Sequence, residues 1–269
     1  MDSDSNPFEL SEPTQVTKQD DDFYQAKFSP DGNKLLATKK GYQGIYIIDL
    51  ENKNLVTEVT DEEKAGFEAK WAQNGETIKY QSRKQTSISK TFNYNLKSKS
   101  HSLAVSTFKS VATGIDDQQE LSVKYNLKRR MVEASYGEKT WDITKEQGSY
   151  YDFVISPDKT KVLIHKNDGR MYIYALDGSG LLYCLGNGLC QSWTPDGKYL
   201  VYFISYDNGY YTTESDIYLS KVDGSKKWRL TNTEDKIEKW PHLSEDGSKL
   251  TFYDMTSDRI YISNLSKKK

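Results

Sequence analysis

Only three imidazoles occur in 269 residues, His101, His165 and His242, and a histidine-built metal site needs several around one point. They stand 64 and 77 residues apart, on strands that the repeat described below places at an outer, a second and an inner position. Only His242 is placed to face a central channel, and a lone histidine is more often structural than a ligand. Hydrolase chemistry lacks its signature, since no Gly-x-Ser-x-Gly nucleophile turn is present. Gly186-Asn187-Gly188 has neither the third glycine nor the following helix that dinucleotide binding requires. These patterns assign no catalytic residue, no metal ligand and no cofactor.

Recognition chemistry is better represented. The stretch Ser205-Tyr206-Asp207-Asn208-Gly209-Tyr210-Tyr211 sets three tyrosines beside Asp and Asn, a combination suited to anchoring an interface or stacking against sugars. Its plainer reading is a β-hairpin turning at Asn208-Gly209 whose tyrosines pack on a neighbouring sheet. Acidic runs at Asp20-Asp21-Asp22, Asp61-Glu62-Glu63 and Glu234-Asp235 each precede an inner strand and share one rim, where together they could hold a cation. Basic residues reach the same rim from other loops: Arg83 and Lys84, Arg129 and Arg130, Lys166 and Arg170, and Arg259. Both signs interspersed suit a polar protein partner better than a phosphate polymer. The candidate partner-binding set is therefore Tyr206, Asp207, Asn208, Tyr210 and Tyr211, with Arg83, Arg130 and Arg170 tuning the charge.

The elements that must position these residues come from a repeat. Ser29-Pro30-Asp31-Gly32 recurs as Ala72-Gln73-Asn74-Gly75, Ser156-Pro157-Asp158-Lys159, Thr194-Pro195-Asp196-Gly197 and Ser244-Glu245-Asp246-Gly247. The fourth positions step by 43, 84, 38 and 50 residues, and the 84 is two steps of 42, implying an eroded sixth copy near Asp116-Asp117. A period of about 40–45 residues with strand-turn-strand content is that of a β-propeller with four-stranded blades. Proline and aspartate suit the central turn positions, and glycine the left-handed one. Lys159 replaces that glycine, so a different turn is expected there. Phe28, Trp71, Ile155, Trp193 and Leu243 precede the turns, and Tyr46, Phe92, Tyr172, Tyr218 and Tyr261 recur on the third strands; both series read as packing between blades.

The first blade reads as Tyr24 to Phe28, Lys34 to Thr38, Gly44 to Asp49 and Asn54 to Val59. The eroded blade reads as Ser110 to Gly114, Glu120 to Tyr125, Arg130 to Ala134 and Thr140 to Thr144. The last blade lacks a fourth strand of its own, and Thr14-Gln15-Val16-Thr17 is expected to complete it and close the ring. The expectation is an all-β chain: a flexible tail over 1–12 and one six-bladed propeller over 13–269. Cys184 and Cys190 flank an outer-to-inner crossing, too far apart to bridge, and read as two small core residues.

Repeats of the type Trp-x-Pro-Asp-Gly-Lys-x-Leu, followed by Asp-Ile-Tyr-Leu and Arg-Leu-Thr-Asn, resemble the TolB propeller repeat. They stand here as Trp193 to Tyr202, Asp216-Ile217-Tyr218-Leu219 and Arg229-Leu230-Thr231-Asn232. The resemblance covers the propeller part only and implies a protein–protein interaction platform rather than an enzyme. Oligogalacturonate lyases also resemble this repeat family, which implies as the alternative a carbohydrate-binding or carbohydrate-cleaving propeller with its site at the channel mouth. Charge is balanced, 37 basic against 39 acidic residues, arguing against a dedicated nucleic-acid binder, and no apolar stretch is long enough to cross a bilayer. The polar start, Met1 to Pro7, lacks a secretory signal. A cytoplasmic location is expected if Met1 is native, a periplasmic one if the TolB resemblance holds and a signal was removed.

Overall fold

The repeated turn is held by its own side chains. The Ser29 hydroxyl donates to Asp31 Oδ1 at 2.5 Å and accepts the Lys34 N–H at 2.9 Å, while Asp31 Oδ1 also accepts the Asn33 N–H at 3.1 Å. The same hydroxyl-to-carboxylate bond recurs at Ser156/Asp158, Thr194/Asp196 and Ser244/Asp246, at 2.6, 2.7 and 2.6 Å. Ala72 has no hydroxyl, and there Asn74 Oδ1 takes the N–H groups of Glu76 and Thr77. The glycines at the fourth position have φ between 65 and 72°. Lys159 does not change the turn as expected: it adopts φ 55° and donates its N–H to Ser156 O at 2.9 Å. The local network thus outweighs a left-handed cost on the order of 1 kcal/mol.

These turns link strands into six antiparallel sheets, and the computed structural model describes residues 5–82, 90–104 and 121–268 of them. The chain is all-β, a six-bladed β-propeller of four-stranded blades, with two short 3₁₀ turns among the described residues, at Gln19–Asp21 and Lys40–Tyr42. It divides into two compact units.

One unit, within Lys109–Asn232, holds the third, fourth and fifth blades. The third shows Ser122–Asn126, Met131–Tyr136 and Lys139–Asp142; its expected inner strand, Ser110 to Gly114, lies outside the described residues. The fourth comprises Tyr150–Ile155, Lys161–Lys166, Arg170–Ala175 and Leu181–Asn187. The fifth comprises Leu189–Trp193, Tyr199–Asp207, Thr212–Lys221 and Lys227–Arg229. Its cores lie between adjacent sheets: Val132, Ile143, Val162 and Ile164 join the third and fourth blades, and Leu163, Ile173, Leu200 and Tyr202 the fourth and fifth. Each fully buried side chain of this size contributes about 1.5–3 kcal/mol.

The other unit, Ser5–Phe108 with Thr233–Lys269, holds the first, second and last blades. The first is Phe23–Phe28, Lys34–Lys39, Gln43–Asp49 and Leu55–Thr60; the second is Lys70–Trp71, Thr77–Ser82, Lys90–Asn95 and Ser100–Leu103. The last is Glu238–Leu243, Lys249–Asp254 and Arg259–Lys267, completed as expected by the N-terminal segment. Thr14 and Gln15 pair with Ile262 and Tyr261. Pairing begins earlier than Pro13: Phe8–Leu10 lies along Leu265 to Lys267, with Phe8 buried, inside the segment expected to form a tail.

Candidate functional site

The fifth blade carries the feature that sets it apart. Tyr199–Asp207 and Thr212–Lys221 stay paired out to Asp207 opposite Thr212. The inner strand pairs only as far as Phe203, and the outer strand only over Tyr218 to Ser220. From Ile204 to Asp216 the hairpin is therefore a two-stranded ribbon extending past the rest of its sheet.

The ribbon tip is stiffened by its own polar groups. Asp207 Oδ1 accepts the Gly209 N–H at 2.9 Å, and Asn208 Oδ1 accepts the N–H groups of Tyr210 and Tyr211, both at 3.1 Å. Asn208 N–H donates to Tyr211 O, and Gly209 sits at φ 87°, where a side chain would be strained. Below the tip, Ser205 and Ser215 hydroxyls meet at 2.9 Å. Arg229 bonds Glu214 at 2.9 Å and also the buried Asp216. Against this economy the tyrosines are unspent: Tyr206, Tyr210 and Tyr211 are 53%, 94% and 65% exposed. The plainer expectation, tyrosines packed on a neighbouring sheet, does not hold; the rings project from the ribbon.

Arg130 and Arg170 occupy the corresponding second-to-third strand turns of the third and fourth blades, so antiparallel order puts all three turns at the same end of their sheets. Both arginines are exposed. Their neighbour Arg129 is already engaged, with Asp142 at 2.6 Å and Glu133 at 3.1 Å. Arg83 lies outside the described residues.

Two of the three acidic runs have local partners. Asp22 and Asp258 bracket the Lys40 ammonium at 3.5 and 2.8 Å, and Glu62 Oε1 accepts the Ser82 hydroxyl at 2.5 Å. Among the described residues no three His, Cys, Asp or Glu side chains gather as a metal centre would need.

All three histidines serve packing. His101, on an outer strand, meets the Tyr80 hydroxyl through Nδ1 at 2.8 Å. His165 is buried, and its Nε2 accepts the Cys190 N–H at 2.9 Å across the fourth and fifth blades. His242 Nδ1 accepts the Phe28 N–H at 3.4 Å, joining the last and first blades. An accepting ring nitrogen is an unprotonated one. Burial holds the His165 imidazole below the usual range, and burial with the nearby Lys27 ammonium pulls His242 down to about 3. Cys190 is buried with its thiol pushed up to about 12 by burial, whereas Cys184 is exposed, correcting its expected place in the core.

The sequence reading missed a second use of the residues before the turns. The Trp71 indole N–H donates to Lys27 O at 3.2 Å, and that of Trp193 to Val154 O at 3.0 Å. Each acceptor is the residue just before the pre-turn position of the preceding blade, so tryptophan there adds a directed bond to the packing. Tryptophan where other repeats carry Phe, Ile or Leu was the available signal.

Neither a protein-family model nor a curated protein matches the sequence. The fold does have solved counterparts. A putative TolB from Agrobacterium tumefaciens superposes with TM-score 0.58 at 15% identity, over 92% of this chain and 90% of that one. The β-propeller domain of Cps50 (Swd1) from Myceliophteria thermophila gives 0.60 at 10% identity, over 97% and 100%. Oligogalacturonate lyase from Vibrio parahaemolyticus gives 0.57 at 12% identity, over 96% of each chain. Similarity at this level carries the propeller fold, which hosts many unrelated functions. No helix among the described residues is long and apolar enough to cross a membrane.

Proposed function

We propose that the chain is a non-enzymatic platform of TolB-like repeat type that binds another protein through the tyrosine ribbon of its fifth blade. The observation that carries this reading is the exposure of three tyrosine rings on one ribbon whose polar side chains hold its own turn. Rigid aromatic side chains lose little conformational freedom on docking and are over-represented among residues that dominate binding energy. Arg130 and Arg170 are assigned the flanking role of tuning charge and association rate.

Affinity capture from native-cell fractions tests the reading, using the wild-type chain and its Tyr210→Ala/Tyr211→Ala variant. A partner captured by the first and lost by the second, at unchanged thermal stability, supports it. Equal capture by both chains sinks it.

The same exposed rings give a second reading, since tyrosine faces also stack on sugars. On that reading an oligosaccharide raises the melting temperature saturably, and the double variant abolishes the rise. The three histidines, each engaged in packing, leave a lyase-like histidine metal site little basis.

A further inference from the structure

Resting on the docking role just proposed for the ribbon, we infer that the partner surface it accepts is cationic, a lysine- or arginine-bearing segment received between the tyrosine rings and the ribbon's carboxylates. The charge of the ribbon is one-sided. From Ile204 to Asp216 it contains Asp207, Glu214 and Asp216 and no lysine or arginine, and with Arg229 of the adjoining outer strand paired to Glu214 and Asp216 the local charge is still net negative. Asp207 and Glu214 are exposed beside Tyr206, Tyr210 and Tyr211. The corresponding turns of the third and fourth blades are net basic, carrying Lys128-Arg129-Arg130, with Arg129 held by Asp142 and Glu133, and Lys166 with Arg170 around Asp168. A basic segment is thus drawn to the ribbon and repelled by its neighbours, which fixes where it lands.

The rest of the fold shows what tyrosine faces take in this protein. Lysine ammonium groups lie over ring centroids at Lys39/Tyr46, Lys166/Tyr172, Lys227/Tyr218 and Lys236/Tyr261, 5.2 to 5.7 Å away. Those four rings stand on third strands, and in each case the chain supplies the cation. Among the described residues no cation lies over Tyr206, Tyr210 or Tyr211. The face of an aromatic ring is its negative pole and attracts a cation within about 6 Å. The ribbon therefore offers tyrosine faces with no cation over them among the described residues, and beside them carboxylates of which Arg229 engages only Glu214 and Asp216.

The probe is a fluorescent peptide of about ten residues (a length that spans the ribbon at roughly 3.3 Å per residue) with Arg and Lys spaced by Gly and Ser, set against a matched Asp/Glu peptide. Anisotropy titrations of the full chain at low and moderate salt read the affinity. The expected result is binding of the basic peptide only, weakening with salt. Tyr210→Ala/Tyr211→Ala should lower affinity at least about fivefold, as two exposed cation–π contacts imply. Tyr210→Phe/Tyr211→Phe should hold it within about twofold, because the ring face is kept. Asp207→Asn should lower it by about two- to threefold. Equal or better binding of the acidic peptide, binding of the basic peptide unaffected by the alanine pair, or no binding of either overturns the inference. Capture that still depends on Tyr210 and Tyr211 while the basic peptide fails would leave the docking role standing and remove only the charge assignment.

Discussion

The fifth blade turns tightly at both ends, and the two turns use their side chains in opposite ways. At Thr194-Pro195-Asp196-Gly197 every polar group serves the turn. The Thr194 hydroxyl bonds Asp196 at 2.7 Å and the Tyr199 N–H at 3.1 Å, while Trp193 just before it is buried and tied to Val154. At Asp207-Asn208-Gly209-Tyr210-Tyr211 the polar groups likewise serve the turn, but the large side chains face solvent. Among the described residues the first pattern recurs in most blades, and the second occurs in this one. Repetition marks what the ring needs to fold, and an unrepeated excess of exposed aromatic area marks what folding does not explain.

Substitutions should separate the two turns sharply. Trp193→Ala removes a buried indole and its directed bond, and should cost about 3–5 kcal/mol in urea unfolding. A cost under about 1 kcal/mol would mean that the pre-turn residues are not structural anchors. Acid attacks the same interior. His165 and His242 titrate below their unfolded value of 6.5, so below that pH the unfolded chain binds protons that the folded chain refuses. Stability should be full above pH 6.5 and fall by a few kcal/mol toward pH 3. Asp246 adds to the loss below 3.8, because its Ser244 and Ser248 partners hold it at about 2. Melting temperatures against pH check this, and His242→Asn should flatten the upper part of the decline. A flat profile from pH 7 to 4 would contradict the accepting role of the imidazoles.

Smaller effects sharpen the comparison. Thr194→Ala leaves the Tyr199 N–H without its acceptor and should cost about 1–2 kcal/mol by chemical denaturation. Lys159→Gly relieves a left-handed side chain and should stabilise by about 0.5 kcal/mol after the added unfolded-state freedom is counted; destabilisation would mean that the lysine itself supports its turn. Smallest of all, Tyr210→Ala/Tyr211→Ala should stay within about 0.5 kcal/mol of wild type.

Most of the fold is legible in the sequence because its turns are encoded locally. Asp31 and Asp196 each bind backbone two residues on, so four consecutive residues announce a turn without tertiary help. The N-terminal closure was legible too, since the last blade showed no outer strand of its own and Thr14 and Gln15 supply one. Lys159 misled because turn preference is read one residue at a time, whereas the Ser156 and Asp158 network decides the conformation jointly. Cys184 misled because outer strands expose side chains that composition assigns to a core. At the site, the Asn208-Gly209 turn signal set among tyrosines located the hairpin. Whether its tyrosines turned inward or outward depended on how far the flanking strands accompany it, and that is a matter of long-range pairing which local sequence does not carry.

The most direct test of the docking role is tyrosine footprinting, by iodination or hydroxyl radicals, of the free chain and of its captured complex. The account predicts that Tyr206, Tyr210 and Tyr211 are reactive in the free chain and protected in the complex. Unchanged reactivity of these three, with protection appearing elsewhere on the propeller, would contradict it.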